Sequence, residues 1–270
     1  MYLCLTLGRP IILPIIRNKI AKNFSTNQKL IAIPGSRWSN KELEYFRIET
    51  VNVENFEKFF QESPPKIENL SDQVKEVLSV DLSKVDVLSS IDWKNLKHVQ
   101  ASRVIKLILI VTRTRSTTES AVDDLAKSTL ELFNYDDVGN VWIKTYAKPD
   151  MFISSHLVIK LLVQADKSHK DSNQITDAES QVIAEAIASF QRNSKVNSHL
   201  EAQLIPCITL LRTYPTFYLF KVTKMLSECV KIGNRPEEKT IVKKYDISAE
   251  IEPYLLRDAM LIQKYRQHVM

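Results

Sequence analysis

The chain has 270 residues, 44% of them hydrophobic, enough for one ordinary domain with an appendage and a real core. Only 4 glycines argue against glycine-rich phosphate loops, and neither G-x-x-x-x-G-K nor G-x-G-x-x-G occurs. A net charge of +5 is a modest bias toward polyanions, and three widely spaced cysteines, Cys4, Cys207 and Cys229, argue against a disulfide framework and for an intracellular setting.

No apolar run is long enough to span a bilayer, because Gly8, Arg9, Pro10 and Pro14 break the hydrophobic start, so no membrane partner is expected. Between Met1 and Lys41 there is no acid, but there are Arg9, Arg17, Lys19, Lys22, Lys29, Arg37 and Lys41. With Ser25 and Thr26, this resembles a mitochondrial transit peptide, although the prolines break the amphipathic helix expected of one. Residues 1–32 are therefore read as a basic segment, disordered or targeting. Mitochondrion, nucleus and cytoplasm remain open as compartments.

Residues 33–112 read as a helical lead-in. Ser39 with Glu42 three residues on forms a capping box, Val53 to Phe60 has apolar residues at helical spacing, and Val74, Val77 and Leu78 mark one helix face. Arg103, Lys106, Arg113 and Arg115 are candidates for a basic flank, with solvated side chains as the plainer reading.

Residues 113–270 carry the sharper pattern. Thr117 to Phe133 is predicted as a helix with Val122, Leu125, Ala126, Thr129 and Phe133 on its core face. Extending that face backward reaches Glu119, either a helix-start carboxylate or a site residue. Strands follow at Val141–Ala147, at Asp150–Ile153 and over the apolar run from Leu157 to Gln164. That third run surfaces at Gln164, Asp166 and Lys167. Asp177 is placed to cap a helix from Ala178 to Asn193, with Gln181 and Glu185 on its polar side. Strands Leu204–Leu211 and Thr216–Val222, a short helix Lys224–Val230, an edge strand Thr240–Lys244 and a closing helix from Pro253 complete the chain. The fold class is α+β around a mixed sheet flanked by helices. Acids, a lysine and a glutamine at a strand end and on the next helix suggest a site for a metal ion and a phosphate.

That order resembles the PD-(D/E)XK nuclease-like superfamily, whose restriction-endonuclease-like core is αβββαβ. More narrowly, the chain resembles a set of uncharacterised fungal proteins that share Ile33 to Ser39 (Ile-Pro-Gly-x-Arg-Trp-Ser), Glu119 to Asp124, Val163 to Lys167, Gln181 to Gln191 and Pro215 to Leu219. The resemblance implies Glu119 as first-helix acid, Asp150 of Pro149-Asp150 as metal ligand, Lys167 as the strand lysine, and Gln181 and Glu185 as polar site residues. It implies Mg2+ if the site is active. The departure is Ala165, where the superfamily has Glu or Asp two residues before the lysine. Residues 165 and 167 of a regular strand share a face, so a carboxylate and an ammonium would converge on one phosphate, and alanine supplies no ligand. Asp166, if a bulge turns it around, or Glu185 would be a replacement.

Three functions follow: a degenerate nuclease-like module that binds nucleic acid or another partner, an active Mg-dependent phosphodiesterase or nuclease with a migrated acid, and a scaffold with no site. The scaffold predicts that Glu119, Asp150, Lys167 and Gln181 do not converge. Trp38, Tyr214 and Tyr218 are candidates for base stacking, with packing as the plainer role; Cys207 reads as a core residue, and His156, His169 and His199 as solvated.

Overall fold

The computed structural model describes residues 34–82, 91–113, 119–135, 140–144, 151–155, 158–166 and 172–246, with Met260, Leu261, Gln263 and Arg266. Seven helices occur among them: α1 (Asn40–Tyr45), α2 (Phe56–Phe60), α3 (Asp72–Ser79), α4 (Val99–Arg113), α5 (Glu119–Leu132), α6 (Ser172–Val196) and α7 (Lys224–Ile232). The strands are β1 (Ile48–Asn52), β2 (Asn140–Lys144), β3 (Met151–Ser155), β4 (Val158–Asp166), β5 (Ala202–Leu211), β6 (Tyr214–Thr223) and β7 (Thr240–Asp246). They form one mixed, open sheet in the order β1-β7-β6-β5-β4-β3-β2, flanked by helices. No helix of the described residues is long and apolar enough to cross a membrane.

Local chemistry sets the helix ends. The capping box at α1 forms as its sequence predicts, with the Ser39 backbone N–H donating to Glu42 Oε2 at 2.7 Å. Asn55, Ser71 and Thr223 cap α2, α3 and α7 with side-chain oxygens. Gly233 ends α7 in the left-handed conformation, φ 71°.

β2, β3 and β4 run as an antiparallel meander, α6 crosses over, and β5 pairs parallel to β4. One face of the sheet carries α6, α1 and α7 over Phe152, Ile159, Leu162, Ile205, Cys207, Tyr218, Phe220 and Val242. The opposite face carries α5 directly, with α4 and α3 stacked behind it, over Val163, Ala165 and Leu210. Met260 and Leu261 close that second core, and Arg266 donates to the carbonyls of Met260 at 2.6 Å and of Val80. A smaller aromatic cluster sets Phe59 of α2 against Tyr245 and Phe217.

Several boundaries differ from the sequence reading. Ile48–Asn52, inside the segment expected to be helical, is a strand paired in parallel with β7. That pairing makes β7 interior, between β1 and β6, rather than an edge. α6 begins at Ser172, so Asp177 lies inside it rather than capping it; no glycine or proline interrupts 172–176 to stop the helix. Tyr214 and Pro215 belong to β6, and the hairpin turn is Arg212-Thr213, with Arg212 at φ 57°. Most of the closing segment after Pro253 lies outside the described residues.

Candidate functional site

The strand end that carries the sequence motif is shaped by a bulge. Ser154 pairs with Ile159 and Ile153 with Leu161, so Lys160 is an extra residue on β4. The bulge breaks the alternation: Ile159 and Leu162 face α6, while Leu161, Val163 and Ala165 face α5. Asn193 of α6 fixes this point, accepting from the Ile159 N–H at 2.8 Å and donating to the Ile159 carbonyl at 3.0 Å. Gln203 donates to the same carbonyl at 3.1 Å.

Ala165 is therefore fully buried among Val122, Leu125, Ala126, Val163 and Leu210. A carboxylate at this position would lie in an apolar cluster rather than at a wet strand end. Alanine at 165 supplies no oxygen ligand, and neither do the apolar side chains of its cluster, so position 165 itself does not fit a magnesium ion. Among the described residues, no group of three or more His, Cys, Asp or Glu side chains is arranged to hold a metal.

The other predicted residues distribute as follows. Asp150 and Lys167 lie outside the described residues, and of Glu119 and Asp166 only the backbone is described, at the start of α5 and opposite Leu211 at the end of β4. Gln181 is half-buried on α6, and Glu185, expected on a polar side, is buried at 5% exposure. Glu185 faces Cys207, whose thiol is pushed up by burial and further by the Glu185 charge. Cys207 belongs to the α6 side and Ala165 to the α5 side, so Glu185 cannot replace an acid at 165 through the sheet.

What sequence reasoning missed is a buried polar band under α6. Lys244 of β7 stands directly opposite Tyr218 of β6, and Thr209 of β5 directly opposite Gln164 of β4. Glu179 of α6 accepts from Lys244 Nζ at 2.8 Å, with both side chains about 12–13% exposed. The Lys244 ammonium also lies 5.8 Å from the Tyr218 ring centroid. Burial, and then the Glu179 charge, hold the Tyr218 phenol well above its usual range, against a hydrogen bond with Thr209. At the sheet end, the Tyr214 hydroxyl donates to Asp246. Each of these positions looks apolar or solvated in one dimension; only the strand register brings them together.

Trp38, Tyr214 and Tyr218, considered for base stacking, are each only 2% exposed, and Trp38 stacks on Phe46 at 5.3 Å. They are packing residues. Cys207 is buried as expected, and His199 is exposed. Arg103 lies 3.8 Å from Glu131, Lys106 and Arg113 are exposed, and Arg115, His156 and His169 lie outside the described residues. Comparison with family models and with curated proteins gives no match for this chain.

Proposed function

We propose that α5-β2-β3-β4-α6-β5 is a restriction-endonuclease-like αβββαβ core that has lost its metal-binding acid and serves as a binding module. The order and directions of these elements, an antiparallel meander followed by a helical crossover to a parallel strand, support the core assignment. The observation that carries the loss of catalysis is Ala165, wholly buried in the apolar cluster under α5. Hydrolysis of a phosphodiester by this superfamily's route needs an oxygen-ligated metal to polarise the phosphate and activate water. A methyl group in an apolar surround supplies neither ligand nor hydration. The reading with a migrated acid is disfavoured for Glu185, which sits across the sheet.

The test is titration of Mg2+ and Mn2+ into the full chain, with labelled single- and double-stranded nucleic acid followed for both binding and cleavage. The expected outcome is no metal-dependent cleavage by the wild type. Cleavage that needs metal and disappears in Lys167→Ala or Asp150→Ala overturns the proposal in favour of an enzyme. Binding that weakens steeply with salt identifies the partner as nucleic acid; its absence identifies a protein partner.

A further inference from the structure

Among the described residues, the face of the sheet opposite α6 is only partly covered. α5 lies over β4 and β5, and the five-residue α2 packs on β7. Between them a groove of about 470 Å³ opens, lined by Phe60, Phe133, Tyr135, Ile208, Phe217 and Lys160 among others. Pro206 and Leu219 also line it, and they continue outward as a row across four strands: Val51 opposite Lys243, Lys243 opposite Leu219, Leu219 opposite Pro206. The next row holds Glu49 opposite Ile241 and Leu204 opposite Lys221.

These side chains are open to solvent. Leu204 is 57% exposed, Ile241 46%, Val51 41%, and Phe60 and Tyr135 stand at 37% and 46% at the groove mouth. Several large apolar side chains exposed together on one sheet face, with lysines between them, mark a candidate interaction surface. The charges set into it have one sign: Lys160, Lys221 and Lys243 are exposed, while the Glu49 carboxylate is held by Lys239. An apolar face with ammonium groups set among its side chains is complementary to a helix that carries carboxylates beside its apolar stripe.

We propose that this groove and the adjoining rows of β1, β7, β6 and β5 dock an acidic amphipathic helix of a partner protein. The helix adds a layer to this face, its leucine-type side chains covering Leu204, Leu219 and Ile241 and its carboxylates meeting Lys160, Lys221 and Lys243. The inference stands on exposure and charge, and does not depend on descent of the core from a nuclease.

The test uses the full chain and a fluorescein-labelled helical peptide of about twenty residues, with leucines at i, i+3, i+4 and i+7 and glutamates flanking them, beside the same peptide with lysines. Anisotropy is expected to give saturable binding of the acidic peptide that weakens as salt is raised, and no binding of the lysine peptide. Lys160→Glu with Lys243→Glu, and separately Leu204→Ser with Ile241→Ser, are each expected to raise Kd at least about tenfold. All four positions are exposed, and an unchanged circular dichroism melt checks that the variants fold. Equal binding of both peptides, or wild-type affinity in either double variant, overturns the proposal. So does a dimer in sedimentation that dissociates in the Leu204→Ser, Ile241→Ser variant, which assigns the face to a second copy. Oligonucleotide binding that needs the lysines but not Leu204 and Ile241, with no binding of the acidic peptide, assigns it to nucleic acid and also overturns the proposal.

Discussion

Asn193 shows how one side chain decides where a motif points. Its amide accepts from the N–H and donates to the carbonyl of Ile159, next to the bulged Lys160, and Gln203 Oε1 accepts from it at 2.9 Å. Replacement by the near-isosteric Asn193→Leu leaves the Ile159 N–H without its acceptor and its carbonyl with Gln203 alone, an expected loss of about 1–3 kcal/mol read from the urea midpoint. Ala165→Asp inserts a carboxylate into the cluster of Val122, Leu125 and Leu210, and is expected to cost about 3 kcal/mol or more at neutral pH. Burial raises the folded-state pKa of such an acid, so the penalty is present above that pKa and fades as pH falls toward the unfolded value. An Ala165→Asp protein as stable as wild type at pH 7 contradicts an apolar site. Glu76 gives the opposite sign. Burial pushes its carboxyl up, but the N–H groups of Lys97 at 2.6 Å and His98 at 2.9 Å, with the His98 ring, outweigh this and hold it below the usual range. Its stabilisation is present above the unfolded carboxyl pKa of about 4.3 and is lost as pH falls through the folded value. Glu76→Gln is therefore expected to flatten the acid limb of a urea-midpoint profile; a profile as steep as wild type contradicts this role.

At the scale of elements, much of the fold is legible from pattern. The Ser39–Glu42 capping box, the buried Val122, Leu125 and Ala126 stripe, the three-strand meander and the hairpin of β5 and β6 follow from spacing. β1 does not, because an edge strand such as Ile48–Asn52 keeps only Ile48 buried and finds its partner in β7, remote in sequence. The face of Ala165 is equally hidden, since a bulge shifts the period of two without altering composition. The polar band is invisible for another reason: Glu179, Lys244 and Tyr218 lie on three separate elements. This band ties α6 to β7, and a double-mutant cycle measures how strongly. Lys244→Met alone is expected to cost about 3 kcal/mol by leaving the Glu179 charge buried beside the Tyr218 phenol. Glu179→Leu with Lys244→Met is expected to recover most of that loss. Additive losses in the cycle would show that the two side chains act independently.

The whole molecule sets a limit on dividing the chain. A boundary at residue 113 follows the change from helical lead-in to the αβββαβ pattern, yet the first core crosses it. Trp38, Leu43, Tyr45, Phe46 and Ile48 pack with Val182, Ile183, Phe190 and Val242, and Tyr45 donates to the Gly233 carbonyl at 3.0 Å. Gly35 sits so close to α6 that a Cβ on it would meet Ala184 Cβ at 3.2 Å. Fully burying such side chains contributes about 1.5–3 kcal/mol each. Five of them together are worth on the order of 10 kcal/mol, comparable to the whole net stability of an ordinary domain. A fragment of residues 113–270 is therefore expected to lack cooperative unfolding and to bind a hydrophobic dye, whereas residues 34–270 should melt in a single transition. A cooperative, dye-negative melt from the shorter fragment would show that the residues before 113 dock onto a core already complete without them.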